Sequence, residues 1–304
     1  MSAPGPASAG PPMAPCTWHP DRLTPLSCSR CGRPACPECL TPASVGFHCR
    51  ECVAQGQAAT RPPRTIAGAR LGDKPVVTFA LIAVNLAFFL VTALQSRSAM
   101  DLSYSELYLR GGLIPAEVAS GEYWRLLTSG FLHGNLVHLA TNMLSLYWLG
   151  IPLERILGRG RMLTIYLISL LGASVSVLLF SAPVSLTIGA SGAVYGLMGA
   201  LLATFRRLRL DLRPLVVILA LNVFITFSYP GLSWQGHLGG FVAGAIVGAA
   251  MVFPPRASRA AWQWGISIGL VVVLAGLTVV AADRIGAYYC LYQVAGQVSC
   301  VPAH

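Results

Sequence analysis

The sequence predicts an all-α protein that crosses a membrane several times, with a small cysteine-rich module near its N-terminus. Of its 304 residues, 55% are hydrophobic and only 11% are charged. Soluble domains carry about 25% charged residues, so this composition is typical of apolar spans joined by short polar loops. The net charge of +10 is high enough to suggest nucleic-acid binding, but the positions of the basic residues favour a membrane.

Seven apolar segments are candidates for membrane helices. They lie at about residues 75–94, 132–152, 162–180, 191–205, 214–229, 237–253 and 262–282. The fourth has only 15 residues, which corresponds to about 22 Å of helix against about 30 Å of hydrocarbon. One of its ends therefore lies about 8 Å inside the membrane, where backbone is tolerated only within protein or beside a water-filled cavity. This short helix indicates a buried hydrophilic site.

The basic residues predict the orientation. Seventeen of the 21 fall before the first segment or after the second, fourth and sixth, and four fall on the other side. Because Lys and Arg are enriched in cytoplasmic loops, we expect a cytoplasmic N-terminus and, with seven spans, an extracytoplasmic C-terminus. Residues 1–15 have no charge and no continuous apolar run, so we expect them to be disordered and not a signal peptide.

A long connection, about residues 95–131, separates the first two segments. It is mildly amphipathic (LYLRGGLIPAEV) and contains GEYWRLL. Connections of this length between membrane helices are more often functional than passive, although a plain extracellular loop is the alternative.

The fourth segment opens with GASGAVYGLMGA, residues 189–200. A serine at this position, Ser191, lies near backbone N–H groups that have no partner within the helix and can stabilise an oxyanion. Gly192, Gly196 and Gly199 permit close approach of a second helix. Taken alone, a glycine-flanked serine fits a packing contact equally well.

The sixth segment opens with GHLGGFVAG, residues 236–244. A lone histidine at a helix end is usually interfacial, but the fourth and sixth segments run in the same direction, so Ser191 and His237 begin them at comparable depth. Gly240, Gly244 and Gly248 form one face of the helix. If the two glycine faces pack together, the imidazole reaches the hydroxyl at the ~2.6–3.2 Å that proton abstraction needs.

The second segment begins within HGNLVHLATN, residues 133–142. His138 and Asn142 are four residues apart and share a helix face near the depth of Ser191, and the Asn142 amide is the type of donor that stabilises a tetrahedral intermediate. His133 and His138 could also bind a metal, but no nearby carboxylate or cysteine completes that site. None of the eleven acidic residues fits a catalytic triad, so the pattern predicts a serine–histidine dyad with Tyr195 supporting the imidazole.

Four motifs in this order resemble the signature of the rhomboid family of intramembrane serine proteases. They are WR at 124–125, HxxxxHxxxN at 133–142, GASG at 189–192 and GHLGG at 236–240. The resemblance covers about residues 75–282. It implies six core helices, here with a seventh C-terminal transmembrane helix, and an endopeptidase that cleaves transmembrane segments of other membrane proteins without a catalytic cofactor.

The resemblance also implies roles for individual residues. It implies Ser191 as nucleophile, His237 as general base, and His138, Asn142 and the Ser191 backbone amide as oxyanion donors. It further implies that Tyr195 packs on His237.

Further supporting positions follow from the same resemblance. Trp124 and Arg125 match a loop that lies partly in the membrane, and Glu154 matches a structural acid at the inner end of the second span. The supporting glycines are Gly189, Gly192, Gly240 and Gly244.

The N-terminal region has four ligand pairs, each with a two-residue gap. They are Cys16/His19, Cys28/Cys31, Cys36/Cys39 and Cys49/Cys52. This spacing predicts a zinc-binding module at residues 16–52, and a cytoplasmic location disfavours the alternative of disulfides. The pattern resembles a B-box-like zinc finger, which implies two structural zinc ions with pairs one and three, and two and four, sharing a site. His48 competes with Cys49 as a ligand, and Cys49 completes the C-x2-C pair.

Residues outside these domains have simpler expectations. Residues 53–74 are predicted to be a flexible basic linker, and residues 283–304 an extracytoplasmic tail. Cys290 and Cys300 remain after the zinc ligands are assigned, and in an oxidising exterior they can pair.

Two other functions compete with the protease. One is a catalytically silent membrane adaptor whose zinc module binds a cytoplasmic protein, and it predicts decay of the serine or histidine motif. The other is a transporter, which predicts midplane charges and an internal repeat. None of these three features is present. The expected partners are transmembrane protein substrates, the lipid bilayer and a cytoplasmic protein partner of the zinc module, and not nucleic acid.

Overall fold

The computed structural model describes residues 12–59, 65–69, 74–286, 288–292 and 298–302. It has two compact units, residues 1–63 and residues 64–304. The second unit is helical throughout its membrane part, and five of its helices are long and apolar enough to cross a membrane. The expected class, an all-α polytopic membrane protein with a small N-terminal module, is confirmed.

The first unit is a small module of two strand pairs and one helix. Its elements are β1 (Ala14–Cys16), β2 (His19–Thr24), β3 (Leu40–Pro42), β4 (Phe47–Cys49) and α1 (Arg50–Ala59), with a 3-10 turn at Pro37–Cys39. β1 pairs with β2 and β3 with β4, both antiparallel.

Two expected boundaries of this module are wrong. Ala14 and Pro15 belong to β1 and not to a disordered N-terminus, because they pair with Thr24 and Leu23. Residues 53–59 belong to α1 and not to a flexible linker. Of the other residues of those two segments, 1–11, 60–64 and 70–73 lie outside the described residues, and residues 12–13, 65–69 and 74 belong to no helix or strand.

The second unit consists of ten helices and a terminal hairpin among its described residues. They are α2 (Val76–Ser96), α3 (Glu106–Gly111), α4 (Pro115–Ala119), α5 (Arg125–Thr128), α6 (Leu136–Leu157), α7 (Arg159–Phe180), α8 (Ser191–Leu208), α9 (Arg213–Ser228), α10 (Trp234–Val252), α11 (Arg259–Ile285), β5 (Tyr288–Tyr292) and β6 (Val298–Pro302). Each predicted apolar segment coincides with one of the seven long helices.

Helix caps account for the boundaries that were predicted inaccurately. α6 begins at residue 136 and not at 132, because the Asn135 side chain accepts a hydrogen bond from the His138 N–H at 2.8 Å. α8 has 18 residues and not 15, since it continues through two arginines to Arg209, whose φ of 56° ends it. At about 27 Å this helix is less short than expected, but Ser191 still opens it.

Helices α7, α8 and α10 form the centre of the second unit. Within the apolar stretch of α7 67% is buried, whereas only 22% of that of α11 is buried. α10 lies against α8 along a row of glycines. A Cβ added at Gly240 would lie 2.0 Å from the Gly192 carbonyl oxygen, and one at Gly244 would lie 2.1 Å from that of Gly196. Only glycine permits this helix spacing.

Arg125 organises the connection between α2 and α6. Its side chain is fully buried. Its Nε donates to the Glu122 carboxylate at 2.6 Å, and its Nη1 donates to the carbonyls of Leu109 and Gly112 at 2.8 and 2.6 Å. The guanidinium therefore joins the end of α3 to the start of α5. Trp124 beside it is exposed and donates its indole N–H to the Arg110 carbonyl.

Glu154 joins α6 to the start of α2. Its carboxylate accepts hydrogen bonds from the Val77 and Thr78 N–H groups at 2.9 and 2.8 Å and from the Thr78 hydroxyl at 2.8 Å. These amides belong to the first turn of α2, where backbone N–H groups have no acceptor within the helix. The carboxylate therefore caps α2 from a neighbouring helix.

The last helix is anchored by one buried polar side chain. Gln263 of α11 donates to the Met251 carbonyl at 2.7 Å and accepts from the Arg161 guanidinium. Beyond α11, β5 and β6 form an antiparallel hairpin in which Cys290 faces Cys300. These two cysteines form a disulfide.

Candidate active site

Ser191 and His237 meet at the N-terminal ends of α8 and α10. The His237 Nε2 lies 3.0 Å from the Ser191 Oγ, although the two residues are 46 positions apart in the chain. The Ser233 hydroxyl caps α10 by accepting from the Gly236 N–H, which fixes the turn that carries His237. The structure thus brings the two predicted dyad residues within hydrogen-bonding distance.

A cavity of about 250 Å³ opens beside these two side chains. Its walls include Ser129 from the connection, His138 from α6 and Leu232 from the loop before α10, together with Ser191 and His237. Both apolar and hydrogen-bonding groups face it.

Tyr195 lies one turn below Ser191 and stacks on His237. The ring centroids are 4.2 Å apart, and the ring planes differ by 8°. The Tyr195 side chain therefore limits rotation of the imidazole while Nε2 faces Ser191.

His138 and Asn142 lie on one face of α6, but only His138 borders the cavity among the described residues. The His138 Nδ1 accepts a hydrogen bond from the Gly134 N–H at 3.5 Å, so a neutral ring carries its proton on Nε2. The Asn142 amide donates to the His138 carbonyl at 2.9 Å, within its own helix. His133 is buried against His138, with ring centroids 5.0 Å apart.

Gly189 leaves free space between the His138 and Ser191 side chains. Its φ of +118° lies in the left-handed region. A Cβ there would lie 2.7 Å from the His138 Nε2 and 3.7 Å from the Ser191 Oγ. A side chain at position 189 would therefore be strained and would fill the space between the two groups.

The chain is similar to known proteins along most of its length. Residues 120–254 match a family described as "Rhomboid domain". The protein "RHOMBOID-like protein 6, mitochondrial" of Arabidopsis thaliana is 32% identical over 243 residues, which are 71% of this chain and 76% of that protein. "Rhomboid protease AarA" of Providencia stuartii is 30% identical over 218 residues, which are 61% of this chain and 75% of that protein. The chain belongs to the rhomboid family.

Other rhomboid relatives are longer than the region they share with this chain. "Rhomboid protease GluP" of Bacillus subtilis (strain 168) is 33% identical over 196 residues, which are 63% of this chain but 38% of that protein. The chain covers 40% of RHOMBOID-like protein 4 and 50% of RHOMBOID-like protein 5. It thus spans half or less of the length of these three relatives.

One residue of this rhomboid site was missed by the sequence prediction. The Thr226 hydroxyl of α9 lies 2.9 Å from the His237 Nδ1 and 2.7 Å from the Tyr195 hydroxyl. It occupies the position that an acid takes in a catalytic triad. A carboxylate within a membrane span stands out in the sequence, whereas a threonine within an apolar helix carries no separate sequence signal.

The cysteine-rich module brings its eight predicted ligands into two clusters. One is Cys16, His19, Cys36 and Cys39, and the other is Cys28, Cys31, Cys49 and Cys52. In each cluster the ligand atoms lie within 4.8 Å of one another. The crossed arrangement of pairs is the one expected. Among the described residues these are the only groups suited to a metal, and His133 and His138 belong to neither.

The distances within the clusters fit tetrahedral zinc. The Cys31 and Cys49 sulfurs are 3.8 Å apart, which is about the separation of two ligands on one zinc with Zn–S bonds of about 2.3 Å. Burial raises the pKa of the Cys28 thiol, but hydrogen bonds from backbone N–H groups, including that of Cys49 at 3.2 Å, lower it to about 5. The thiolate is the form that binds a metal. All seven cysteines of the module are free thiols, so its two clusters are not disulfides.

Proposed function

We propose that this rhomboid-family chain is an intramembrane serine endopeptidase that cleaves transmembrane segments of other proteins. The observation that carries the proposal is the 3.0 Å contact between the Ser191 Oγ and the His237 Nε2 at the edge of a cavity. The names of the relatives GluP and AarA as rhomboid proteases support it.

Acylation begins with proton transfer within the dyad. The His237 Nε2 takes the Ser191 hydroxyl proton as the Oγ attacks the carbonyl carbon of the scissile bond. When the tetrahedral intermediate collapses, the C–N bond breaks and the amine leaves with the proton from Nε2. The product is an acyl-enzyme on Ser191. Water then attacks the ester with His237 again as base, which releases the acid and restores the hydroxyl.

The oxyanion is stabilised by donors that surround Ser191. The Ser191 backbone N–H belongs to the first turn of α8 and has no acceptor within the helix. The His138 Nε2–H lies on the cavity side of its ring, next to the open space at Gly189. Asn142 does not border the cavity, and one of its two amide N–H groups donates to the His138 carbonyl, so it joins these donors only after its side chain rotates. One such donor contributes about 2.7–4 kcal/mol to transition-state stabilisation.

The substrate must lose helical structure where it is cleaved. A regular helix uses its carbonyl oxygens in internal hydrogen bonds, so an intact transmembrane helix presents no free carbonyl to Ser191. Segments with helix-breaking Gly or Pro and small residues near the cut are therefore the expected substrates.

The test is cleavage of a transmembrane reporter by purified protein in liposomes. The reporter carries a Gly- and Pro-containing membrane segment, and mass spectrometry identifies both products. We expect cleavage by wild type, none by Ser191→Ala, and unchanged cleavage by Ser185→Ala, whose hydroxyl lies in the loop before α8. Equal cleavage by the wild-type and Ser191→Ala proteins contradicts the proposal.

The two clusters of the N-terminal module support a second element of function. We infer two structural zinc ions, one held by each cluster, and these supply folding stability that few apolar residues provide. A catalytically silent adaptor acting through this module on a cytoplasmic partner is the competing function. Metal analysis of purified protein is expected to give two zinc per chain, and a metal-free folded module contradicts this part.

The orientation is proposed from charge and redox chemistry. Basic residues concentrate on the side of the N-terminus, which favours a cytoplasmic location for the module. The Cys290–Cys300 disulfide favours an oxidising exterior for the C-terminal tail. Alkaline phosphatase fused after residue 304 is expected to be active and green fluorescent protein fused there dark, and the opposite result reverses the orientation.

A further inference from the structure

The Thr226 hydroxyl contacts three groups, and one of these contacts determines where the hydroxyl proton of Thr226 points. Thr226 Oγ1 lies 2.8 Å from the Asn222 carbonyl oxygen, one turn earlier in α9. A carbonyl oxygen only accepts, so Thr226 donates its single proton to Asn222. The hydroxyl can therefore only accept hydrogen bonds from its other two partners.

The remaining two contacts then have determined directions. The Tyr195 hydroxyl, 2.7 Å away, donates to Thr226, and the His237 Nδ1–H, 2.9 Å away, also donates. A neutral imidazole with its proton on Nδ1 has a free lone pair on Nε2. That lone pair faces the Ser191 Oγ at 3.0 Å. This is the tautomer that accepts the serine proton.

Few of the described side chains that line the space beside Thr226 can accept a hydrogen bond from the His237 Nδ1–H. A second cavity of about 370 Å³ adjoins this contact and is lined mainly by apolar side chains of α9 and α10, among them Leu219, Val223 and Phe241. Water enters such an apolar space reluctantly because it finds too few polar partners. Among the described residues that line it, the polar side-chain groups are those of Tyr195, Thr226 and His237 and the indole N–H of Trp234, which can only donate.

We propose that Thr226 is a positioning residue that sets the tautomer of His237 and stabilises the imidazolium formed during acylation. This proposal rests on the proposed function, because it assigns Thr226 a role in the proton transfer from Ser191 to His237. A neutral hydroxyl takes the place that a carboxylate has in a catalytic triad. Tyr195 contributes twice, by stacking on the imidazole and by donating to the threonine.

The experiment compares three variants in the reporter assay. Thr226→Val keeps the branched shape and removes the hydroxyl, and Thr226→Ser restores a hydroxyl. Thr278→Val in α11 is the control, since Thr278 has the same 6% exposure and the same bond to a carbonyl one turn earlier. We expect Thr226→Val to lower kcat about tenfold to a hundredfold with KM within about twofold. Thr226→Ser is expected to recover most of kcat, and Thr278→Val to match wild type.

The outcomes separate this proposal from the proposed function. If Ser191→Ala cleaves like wild type, the protease function itself fails. If Ser191→Ala is inactive but Thr226→Val matches wild type, or raises only KM, the positioning role is wrong. Equal impairment of Thr226→Val and Thr226→Ser also overturns it.

A spectroscopic measurement tests the tautomer in the unaltered protein. The nitrogen chemical shifts of ¹⁵N-labelled His237 are expected to show a protonated Nδ1 and an unprotonated Nε2. Protonation on Nε2 instead contradicts the proposal, even if no Thr226 variant folds.

Discussion

Gly240 shows how a single missing side chain determines the geometry of the active site. A methyl group there would overlap the Gly192 carbonyl oxygen, which belongs to backbone and cannot turn away as a side chain can. Gly192 follows Ser191, and Gly240 lies three residues after His237. The distance between α8 and α10 therefore controls the distance between nucleophile and base.

Gly240→Ala is expected to abolish most cleavage and to lower the free energy of unfolding. Overpacking a close helix contact costs about 1–3 kcal/mol, and separation of the helices breaks the Ser191–His237 contact. Thermal unfolding in detergent and the reporter assay measure the two effects. Gly269→Ala in α11 is the control, because a Cβ there meets nothing within 4 Å. Wild-type activity of Gly240→Ala would show that the helices tolerate separation.

The Glu154 carboxylate contributes stability without touching the active site. We expect Glu154→Gln to lower the free energy of unfolding by about 1–3 kcal/mol. The glutamine has an NH2 group in place of one carboxylate oxygen, so at least one of the donors at the start of α2 loses its acceptor. Thermal unfolding measures the change. Glu106→Gln serves as the control, since within the described part of the chain Glu106 makes an exposed ion pair with Arg110 and no other side-chain contact of this kind. Equal stability of the Glu154 and Glu106 variants would contradict the capping role.

For individual residues, the sequence predicted which side chains form the site more accurately than it predicted their hydrogen-bond partners. Ser191 and His237 were found because glycine spacing and helix direction determine where they lie. Thr226 was missed because its contact with His237 comes from the tertiary packing of α9. The orientation of the Asn142 amide was also not predictable from the sequence, since its acceptor is a backbone carbonyl of the same helix.

Among the elements, the connection between α2 and α6 depends on one buried cation. Arg125 holds α3 and α5 together by charge-assisted hydrogen bonds with a carboxylate and two carbonyls. Lysine presents a point charge and cannot reproduce the planar set of donors.

Arg125→Lys is expected to loosen this connection and to reduce cleavage about tenfold, because Ser129 and the residues near it form part of the cavity wall. Hydrogen exchange over residues 106–131 and the reporter assay provide the measurements. Arg110→Lys is the control, since its side chain is 73% exposed. Unchanged hydrogen exchange in Arg125→Lys would contradict this account of the connection.

Helix positions were predicted well, whereas helix ends were not. Apolar runs report which residues avoid water, and all seven long helices follow them. The ends are determined by local hydrogen bonds and backbone angles, as at Asn135 and Arg209. α1 extends beyond Cys52 although the sequence there (VAQGQAA) has no continuous apolar run. A search for apolar runs does not detect such a helix.

At the scale of the whole molecule, the two clusters of metal-ligand residues are separate and share no ligand. Cys28→Ser is expected to reduce the zinc content from two ions per chain to one, because a serine hydroxyl is a poor replacement for a thiolate ligand. Metal analysis after dialysis measures this. Ser29→Ala is the control, since this neighbouring side chain belongs to neither cluster. Loss of both ions from Cys28→Ser would show that the clusters do not bind independently.

The most direct test of the catalytic claim is labelling with a fluorophosphonate probe followed by mass spectrometry of the modified peptide. The account predicts one label per chain, on Ser191, and none in Ser191→Ala. In His237→Ala the rate of labelling is expected to fall at least about a hundredfold, because the serine loses its base. Folded wild-type protein that remains unlabelled, or a His237→Ala variant labelled at the wild-type rate, would contradict the account.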